Sequence, residues 1–228
     1  MFQRAWNATA EANPAYQQVL YTDEDVHEFI TSRTSERLQR AFFAINPKFG
    51  AARADIFRYA LLYEHGGVYL DIKSSAEDID SALRANDQYL LSKWNFPNGQ
   101  ISDFCDRNFI YACETGEYEQ WWIIAAPRHP FLKRVLENVI AAVEGFTNEK
   151  YPPSKDSILR LTGPTIYTIS IDEAIANGCT DYRFTCNEFN NVFHYSKFGN
   201  HIKDYEKSDT VHYSQVTEAI VLRGDEEA

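Results

Sequence analysis

The sequence lacks several features that define whole classes of protein. It has only four cysteines in 228 residues, and none of them has the close spacing of a zinc knuckle. A chain of this length buries enough core to need no disulfides, so we expect free or buried thiols in a reducing compartment. No apolar run approaches the ~20 residues of a membrane span, and the first residues lack the positive-then-apolar pattern expected of a leader. The sequence predicts a cytoplasmic protein with no membrane segment, and a lost N-terminal anchor is the alternative.

Positive charge is also scarce. The chain carries 33 Asp and Glu against 22 Lys and Arg, a formal net charge of −11. Such a field argues against nucleic-acid partners and anionic membranes. A nucleotide ligand stays open, because a diphosphate needs only a local cluster of positive side chains. The sequence has no glycine-rich phosphate loop of the Walker or dinucleotide type, and no Ser or Cys nucleophile motif.

Helical and strand patterns alternate along the chain. Helices are predicted after Thr22, over Ser35–Ile45 and Ala51–Glu64, from Pro130, and from Gly163-Pro164. Strands are predicted at Val68–Leu70, Gln88–Ser92, Asn108–Ala112, Trp121–Ala125, Tyr182–Cys186, Asn191–Tyr195 and Thr210–Tyr213. This interleaving favours one α/β layered domain over residues 1–228.

The most informative segment is a helix, a Gly66-Gly67 turn, a short apolar strand expected to be buried, and Asp71 at the end of that strand. Ligands of open α/β sheets collect at such strand ends. Asp55 and Arg58 lie three residues apart and therefore share a helix face. The pair can accept from sugar hydroxyls and donate to phosphate. The alternative is a structural ion pair on a solvated face.

Asp71 and Lys73 follow the strand. A carboxylate near a diphosphate can hold a divalent cation, although a lone Asp after a strand is usually a turn former. Strand alternation predicts Lys73 on the same side as Asp71, where its ammonium could contact the diphosphate. The alternative for Lys73 is an ordinary exposed lysine. Gln120 and Trp121 are candidates for the acceptor side, since aromatic faces pack on sugars, with plain core as the alternative for the indole.

The runs Ala52–Tyr59, Leu62-Tyr63 and Gly66–Asp71 together resemble the signature of glycosyltransferase family 32, the DXD sugar-binding family. Weaker similarities extend to Asn13-Pro14, Pro130–Leu132 and Thr162–Pro164. The resemblance implies a GT-A-like, Rossmann-type mixed sheet flanked by helices. It also implies a UDP- or GDP-sugar donor, a glycan or small-molecule acceptor, a divalent cation (Mn²⁺ or Mg²⁺), and hexose transfer with retention of configuration.

The resemblance also assigns roles by position. Donor binding would fall to Asp55, Arg58, Gly67 and Tyr69; catalysis to Arg58, Asp71 and Lys73; and the metal to Asp71 and His212. Two departures matter. The second carboxylate of DXD is Lys73, which weakens the metal prediction, and no strand equivalent to the family's first one precedes Trp6. The alternatives are a non-catalytic nucleotide-sugar or glycan-binding module and a metal-dependent hydrolase of phosphorylated sugars.

Overall fold

A computed structural model describes residues 2–93, 116–185, 191–195 and 216–222. Eight helices occur in these ranges: α1 (Phe2–Ala12), α2 (Asp23–Arg33), α3 (Glu36–Ala44), α4 (Gly50–His65), α5 (Ile79–Ala82), α6 (Pro130–Glu144), α7 (Lys155–Leu161) and α8 (Pro164–Ala176). The strands described are β1 (Gly67–Leu70), β2 (Ser75–Ala76), β3 (Tyr89–Leu91), β4 (Trp122–Ala125), β5 (Arg183–Phe184) and β6 (Phe193–His194).

The larger sheet is mixed. Its order is β1-β4-β3-β5; β4 is antiparallel to both neighbours, and β3 is parallel to β5. A second ladder pairs β2 with β6 in antiparallel fashion. The prediction of an α/β chain with a mixed sheet and flanking helices is confirmed. The strands predicted at Asn108–Ala112 and Thr210–Tyr213 lie outside the described residues, and the single-domain assignment stays a prediction.

The helix ends follow from local sequence chemistry. Thr22 caps α2, with reciprocal bonds between Thr22 and Asp25 that satisfy two backbone donors. His129 precedes α6, accepts from the backbone N–H of Phe131, and leaves Pro130 in the first turn, where a missing N–H costs nothing. Helix α6 then buries an apolar stripe at helical spacing. His129 is therefore the N-cap of α6.

Two apolar clusters hold these elements together. The larger one gathers the buried faces of α3, α4, α6, α7 and α8 against β3 and β4. The smaller one lies on the other side of the sheet, where Trp122 stacks on Phe193 with ring centroids 4.4 Å apart. Residues 122–125 alternate between the two clusters, so β4 is buried on both faces.

Strand β1 differs from its prediction. Its residues are exposed or half-buried rather than buried. Within the described residues, β1 is the edge of the sheet and pairs with β4 on one side only, so one flank lies open to a groove. The expectation of a buried strand is wrong for this physical reason, while the strand itself and the Asp that follows it are confirmed.

Helix α1 is tied to the segment after β1 by buried side chains. Thr9 Oγ1 accepts from the backbone N–H of Ala76, and Asn13 Nδ2 donates to the carbonyl oxygen of Ala76 at 2.9 Å. Asn13 Oδ1 accepts from the N–H of Ile79 at 2.8 Å. Within the described part of the chain, none of the helices is long and apolar enough to cross a membrane.

Candidate active site

The site begins where α4 turns into β1. Gly66 has φ 66° and ψ −162°, a conformation nearly confined to glycine. A Cβ on Gly66 would lie 2.7 Å from Pro127 Cδ and 2.8 Å from the carbonyl oxygen of Ala125. Gly67 has φ 105°, but an added Cβ there would meet nothing within 4 Å. Gly66 is therefore required by both conformation and space, and Gly67 by conformation alone.

Asp55 and Arg58 form an ion pair in the interior of the molecule. Asp55 Oδ1 lies 2.9 Å from Arg58 Nη2, and the two side chains are only 6% and 8% exposed. The predicted spacing on one helix face is confirmed, and the alternative of a solvated face is wrong. Desolvating such a pair costs free energy, so its burial requires further hydrogen bonds around both groups.

Those hydrogen bonds come from two other parts of the chain. Thr162 Oγ1 donates to Asp55 Oδ2 at 3.0 Å, and Gln120 Nε2 lies 3.4 Å from Asp55 Oδ1. Arg58 Nη1 donates to the backbone carbonyl of Gln120 at 2.9 Å. The Tyr59 hydroxyl lies against Gln120 Oε1 and 2.9 Å from the Thr162 carbonyl oxygen. Three separate segments thus fix the pair in one geometry.

Asp71 lies on the other side of the same guanidinium. Its Oδ1 is 3.2 Å from Arg58 Nη1 and accepts from the Tyr69 hydroxyl at 3.0 Å. The Arg58 guanidinium also covers the Tyr69 ring at 4.7 Å, a cation–π contact. The Asp71 N–H donates to the Trp121 carbonyl at 2.8 Å, which extends the β1–β4 ladder by one bond. The Asp71 side chain is 23% exposed, so this carboxylate is the more open of the two.

Burial and charge shift the pKa values in this cluster. Burial raises the pKa of Asp55 to about 7, although Arg58 and the Thr162 hydroxyl oppose that rise. Burial alone would lower the pKa of Arg58, but the negative groups around it hold the value above the ordinary one, so Arg58 stays charged. Burial also raises the pKa of Tyr69 well above its usual range, which keeps its hydroxyl a donor to Asp71.

Lys73 lies in a tight turn that follows Asp71. The Ser74 N–H donates to the Asp71 carbonyl at 2.7 Å, so the chain reverses there and is no longer a strand. The strand alternation used to place Lys73 therefore does not apply. The turn nevertheless leaves Lys73 in the groove that Asp71 lines, with its Nζ 4.3 Å from the centroid of the Tyr195 ring. Tyr195 in turn packs edge-on against Trp121 at 5.3 Å.

Glu119 holds the two neighbouring indoles. The Nε1 groups of Trp121 and Trp122 lie 3.2 and 3.0 Å from its two carboxylate oxygens. Burial raises the pKa of Glu119, and the hydrogen bonds oppose that rise. Trp121 is 7% exposed and Trp122 is 3% exposed, so both indoles are largely core. Trp121 also lines the groove, which leaves its predicted acceptor role open.

One open groove of about 2600 Å³ collects the predicted residues. Lining it are Asp55, Arg58, Gly67, Tyr69, Asp71, Lys73, Gln120 and Trp121. His212 lies outside the described residues. Gln120, predicted on the acceptor side, has its side chain bound to the Asp55 network instead of extending alone into the groove.

The described residues do not fit a divalent cation at Asp71. A Mg²⁺ or Mn²⁺ site needs several oxygen ligands, but Asp71 Oδ1 is already shared with Arg58 and Tyr69. Lys73 occupies the position of the second motif carboxylate, and like charge disfavours a cation beside it. Within the described ranges, no group of three or more His, Cys, Asp or Glu could hold a metal ion. The predicted Mn²⁺ or Mg²⁺ stays a prediction that depends on residues beyond those ranges.

Sequence reasoning missed three residues that complete the site. Thr162 was visible only as part of the Thr-Gly-Pro turn, and nothing in the pattern indicated that its hydroxyl reaches Asp55. Tyr59 adjoins Arg58, but its hydroxyl contacts depend on tertiary packing. Tyr195 carries no local signal at all, since its place against Lys73 depends on the β2–β6 ladder.

Comparisons with known proteins agree with this picture. Residues 1–77 match the family model described as "Glycosyltransferase sugar-binding region containing DXD motif". The chain is 25% identical over 182 residues to the initiation-specific alpha-1,6-mannosyltransferase of Schizosaccharomyces pombe, which covers 75% of this chain and 43% of that protein. It is 37% identical over 68 residues to the inositol phosphoceramide mannosyltransferase 3 of the same yeast, covering 30% and 18% of the two chains.

Among solved structures, the chain is similar to a PaToxG glycosyltransferase with a TM-score of 0.44 and 15% identity, over 77% of this chain and 63% of that one. The chain spans less than half the length of the two curated yeast relatives. The family match itself includes the helix, the glycine turn and Asp71 that carry the site. The resemblance to glycosyltransferase family 32 is therefore confirmed, and it rests on the match of residues 1–77 to that family's model.

Proposed function

We propose that the chain transfers a hexosyl group from a nucleoside-diphosphate sugar to an acceptor hydroxyl, with retention of anomeric configuration. One observation carries this proposal: a permanently charged Arg58, bracketed by Asp55 and Asp71, lies in the groove at the end of β1. A guanidinium in that position suits a phosphate or sugar oxygen. The family match and the mannosyltransferase relatives support glycosyl transfer as the reaction class.

Arg58 has spare hydrogen-bonding capacity. Its Nε is buried and has no hydrogen-bond partner within the described residues. A buried N–H without an acceptor costs free energy. An oxygen atom of the bound nucleotide sugar would offset that cost by accepting a hydrogen bond from it. Asp55 is itself held by Thr162 and Arg58, so its part in donor binding is to orient the guanidinium.

The reaction breaks the bond between the anomeric carbon and the diphosphate oxygen and forms one between that carbon and the acceptor oxygen. The acceptor proton passes to the departing diphosphate, so no protein base is needed. Negative charge develops on the leaving group, and the cations Arg58 and Lys73 would stabilise it there. Gln120 and Trp121 line the same groove and remain the candidates for the acceptor side.

A donor panel tests the proposal. Thermal unfolding with UDP-glucose, UDP-galactose, UDP-N-acetylglucosamine and GDP-mannose should reveal at least one stabilising donor, since a ligand of the folded state raises the unfolding temperature. Release of the nucleoside diphosphate should then be followed in turnover assays, and NMR of the product should report the retained anomer.

Asp71→Asn supplies the matched variant. We expect this variant to lose both glycosyl transfer and any slow hydrolysis of the donor. Its far-UV spectrum should match that of the unaltered chain. Asp181→Asn is the control, because Asp181 is exposed and contributes its backbone carbonyl to His129. Near-normal turnover by Asp71→Asn would refute the assignment of the site.

A second candidate is a binding module that holds a nucleotide sugar or glycan without reacting it. The lysine at the second DXD position favours this alternative. Stabilisation by a donor, with no diphosphate release under any condition, would establish it. Measurable donor hydrolysis would exclude it.

A further inference from the structure

The DXD turn of this chain carries a cation where the family motif has its second carboxylate. Asp71 and Lys73 face one groove, and the turn between them is closed by the hydrogen bond from the Ser74 N–H. This departure lies within the segment that matches the family model, so the substitution occurs inside the sugar-binding region itself.

The position of the ammonium is defined by packing. Lys73 Nζ lies 4.3 Å from the centroid of the Tyr195 ring, a cation–π contact, and both residues line the groove. Tyr195 also interacts electrostatically with Asp71 and Arg58. Burial raises the pKa of Tyr195 to about 12, the Asp71 carboxylate adds to the rise, and Arg58 opposes it. Lys73, Tyr195 and the Asp71–Arg58 pair therefore lie together along one groove.

The charge balance of the cluster needs a second cation. Two carboxylates flank the single guanidinium of Arg58, so Arg58 can donate to a phosphate oxygen but supplies no net positive charge to balance a diphosphate. A divalent ion commonly supplies that charge, but Asp71 Oδ1 is shared with Arg58 and Tyr69, and a lysine lies two residues away. An ammonium is a compact point charge with three donors and can lie directly against phosphoryl oxygens.

We propose that the Lys73 ammonium takes the place of the divalent cation: it binds the donor diphosphate and stabilises the leaving group, so that transfer proceeds without a metal ion. The inference rests on the proposed function, because it concerns the same donor and the same groove. It adds that the family's metal requirement has been exchanged for a side chain of this chain.

The experiment measures nucleotide binding and turnover with and without metal. UDP and GDP are titrated calorimetrically into chelator-treated protein, with EDTA or with Mn²⁺. We expect one of them to bind equally well in both conditions. Lys73→Ala should weaken that binding at least about tenfold, the loss of one contact to a charged group, while Lys73→Arg should restore most of it. Lys133→Ala, an exposed lysine of α6 away from the groove, is the control and should bind as the unaltered chain does.

Lys73→Asp is the most discriminating variant, because it restores two carboxylates at the spacing of the DXD motif. This variant should bind UDP or GDP only when Mn²⁺ is present, and it should bind Mn²⁺ alone more tightly than the unaltered chain in an EPR titration that needs no activity. Far-UV spectra and unfolding temperatures close to those of the control would show that each variant is folded.

The outcomes separate the metal-free inference from the transferase proposal. Loss of binding and turnover with EDTA, restored by Mn²⁺, would overturn the metal-free inference and leave the transferase proposal intact. Lys73→Ala that binds and turns over like the control would also overturn it. If neither nucleotide binds the unaltered chain in any condition, and no donor is consumed, both proposals fail together.

Discussion

The two carboxylates that flank Arg58 lie in contrasting regions. Asp55 is 6% exposed and is held by side chains from α4, the segment before β4 and the turn before α8. Asp71 is 23% exposed and belongs to a short turn, with Tyr69 and Arg58 as its contacts. One region is a framework fixed by several elements, and the other is a short loop that can change its chemistry without disturbing the core. The position that departs from the family motif, Lys73, lies in the second region.

Removing Arg58 should break both regions at once and give the largest effect. Arg58→Ala leaves Asp55 buried without its cation, which should lower the free energy of unfolding by about 3–5 kcal/mol and abolish donor binding. Urea unfolding and donor titration measure the two losses. Arg128→Ala is the control: its guanidinium is 59% exposed and pairs with Glu64, so a loss within about 1 kcal/mol is expected. Equal losses in the two variants would contradict the contrast.

The glycine turn joins the two regions, so its substitution should come next. Gly66→Ala combines a forbidden conformation with a 2.7 Å approach to Pro127, and we expect a loss of about 2–4 kcal/mol. Gly67→Ala carries only the conformational strain and should lose about 1–2 kcal/mol. Chemical unfolding of the pair gives the difference. A larger loss in Gly67→Ala would mean that space at Gly66 is not limiting.

Thr162→Val should test, through the pH dependence of the reaction, how far the buried surroundings of Asp55 set its pKa. The Thr162 hydroxyl opposes the burial that raises the pKa of Asp55 to about 7, so its removal should raise that pKa further. The acid limb of the pH–rate profile, expected near pH 7, should move to higher pH, and stability should fall by about 1–3 kcal/mol. Thr162→Ser keeps the hydroxyl and should preserve the limb. If the acid limb does not move in Thr162→Val, the limb reports the ionisation of a group other than Asp55.

The same shift has a stability consequence with a definite sign. The folded pKa of Asp55 lies above the ordinary value of 3.8, so the folded state binds the proton more tightly than the unfolded chain. The contribution of this group to the free energy of unfolding is therefore full below pH 3.8 and is lost as the pH rises through about 7.

Asp71→Asn should have the smallest effect on stability and a large one on transfer. An asparagine keeps an oxygen that accepts from Tyr69, and the side chain is partly open to water, so the change in unfolding free energy should stay within about 1 kcal/mol. Chemical unfolding measures the stability, and diphosphate release measures the transfer. A loss comparable to that of Arg58→Ala would mean that the turn is as much a part of the framework as the helix.

The sequence predicted those parts of the fold that depend on local chemistry. The capped start of α2, the proline entry to α6 and the glycine end of α4 all follow from neighbouring residues. The prediction that β1 is buried was wrong because the position of a strand in a sheet depends on which strands pair with it. No local sequence pattern encodes that pairing. The short strands β2 and β6 pair across more than a hundred residues, and only one of them coincided with a predicted strand.

The residues of the candidate site also divide into those that local sequence predicts and those that depend on tertiary contacts. Asp55, Arg58 and Asp71 could be predicted because they lie close together along the chain, on one helix face and at the following strand end. Thr162 and Tyr195 could not, since their contacts with Asp55 and Lys73 arise only when distant segments fold together. The sequence alone also left Lys73 open between a phosphate contact and an exposed side chain. Its position in the groove beside Tyr195 is observed, and the phosphate contact stays a prediction.

The bonds from α1 give the beginning of the described chain a mechanical role. Thr9 and Asn13 supply partners for three backbone groups of Ala76 and Ile79, directly downstream of the DXD turn. Any partner or protease that detached α1 would strip those groups of their hydrogen bonds and loosen the anchor of the turn. Helix α1 thus supports the segment that follows the DXD turn, and its residues Thr9 and Asn13 line the same groove as Lys73.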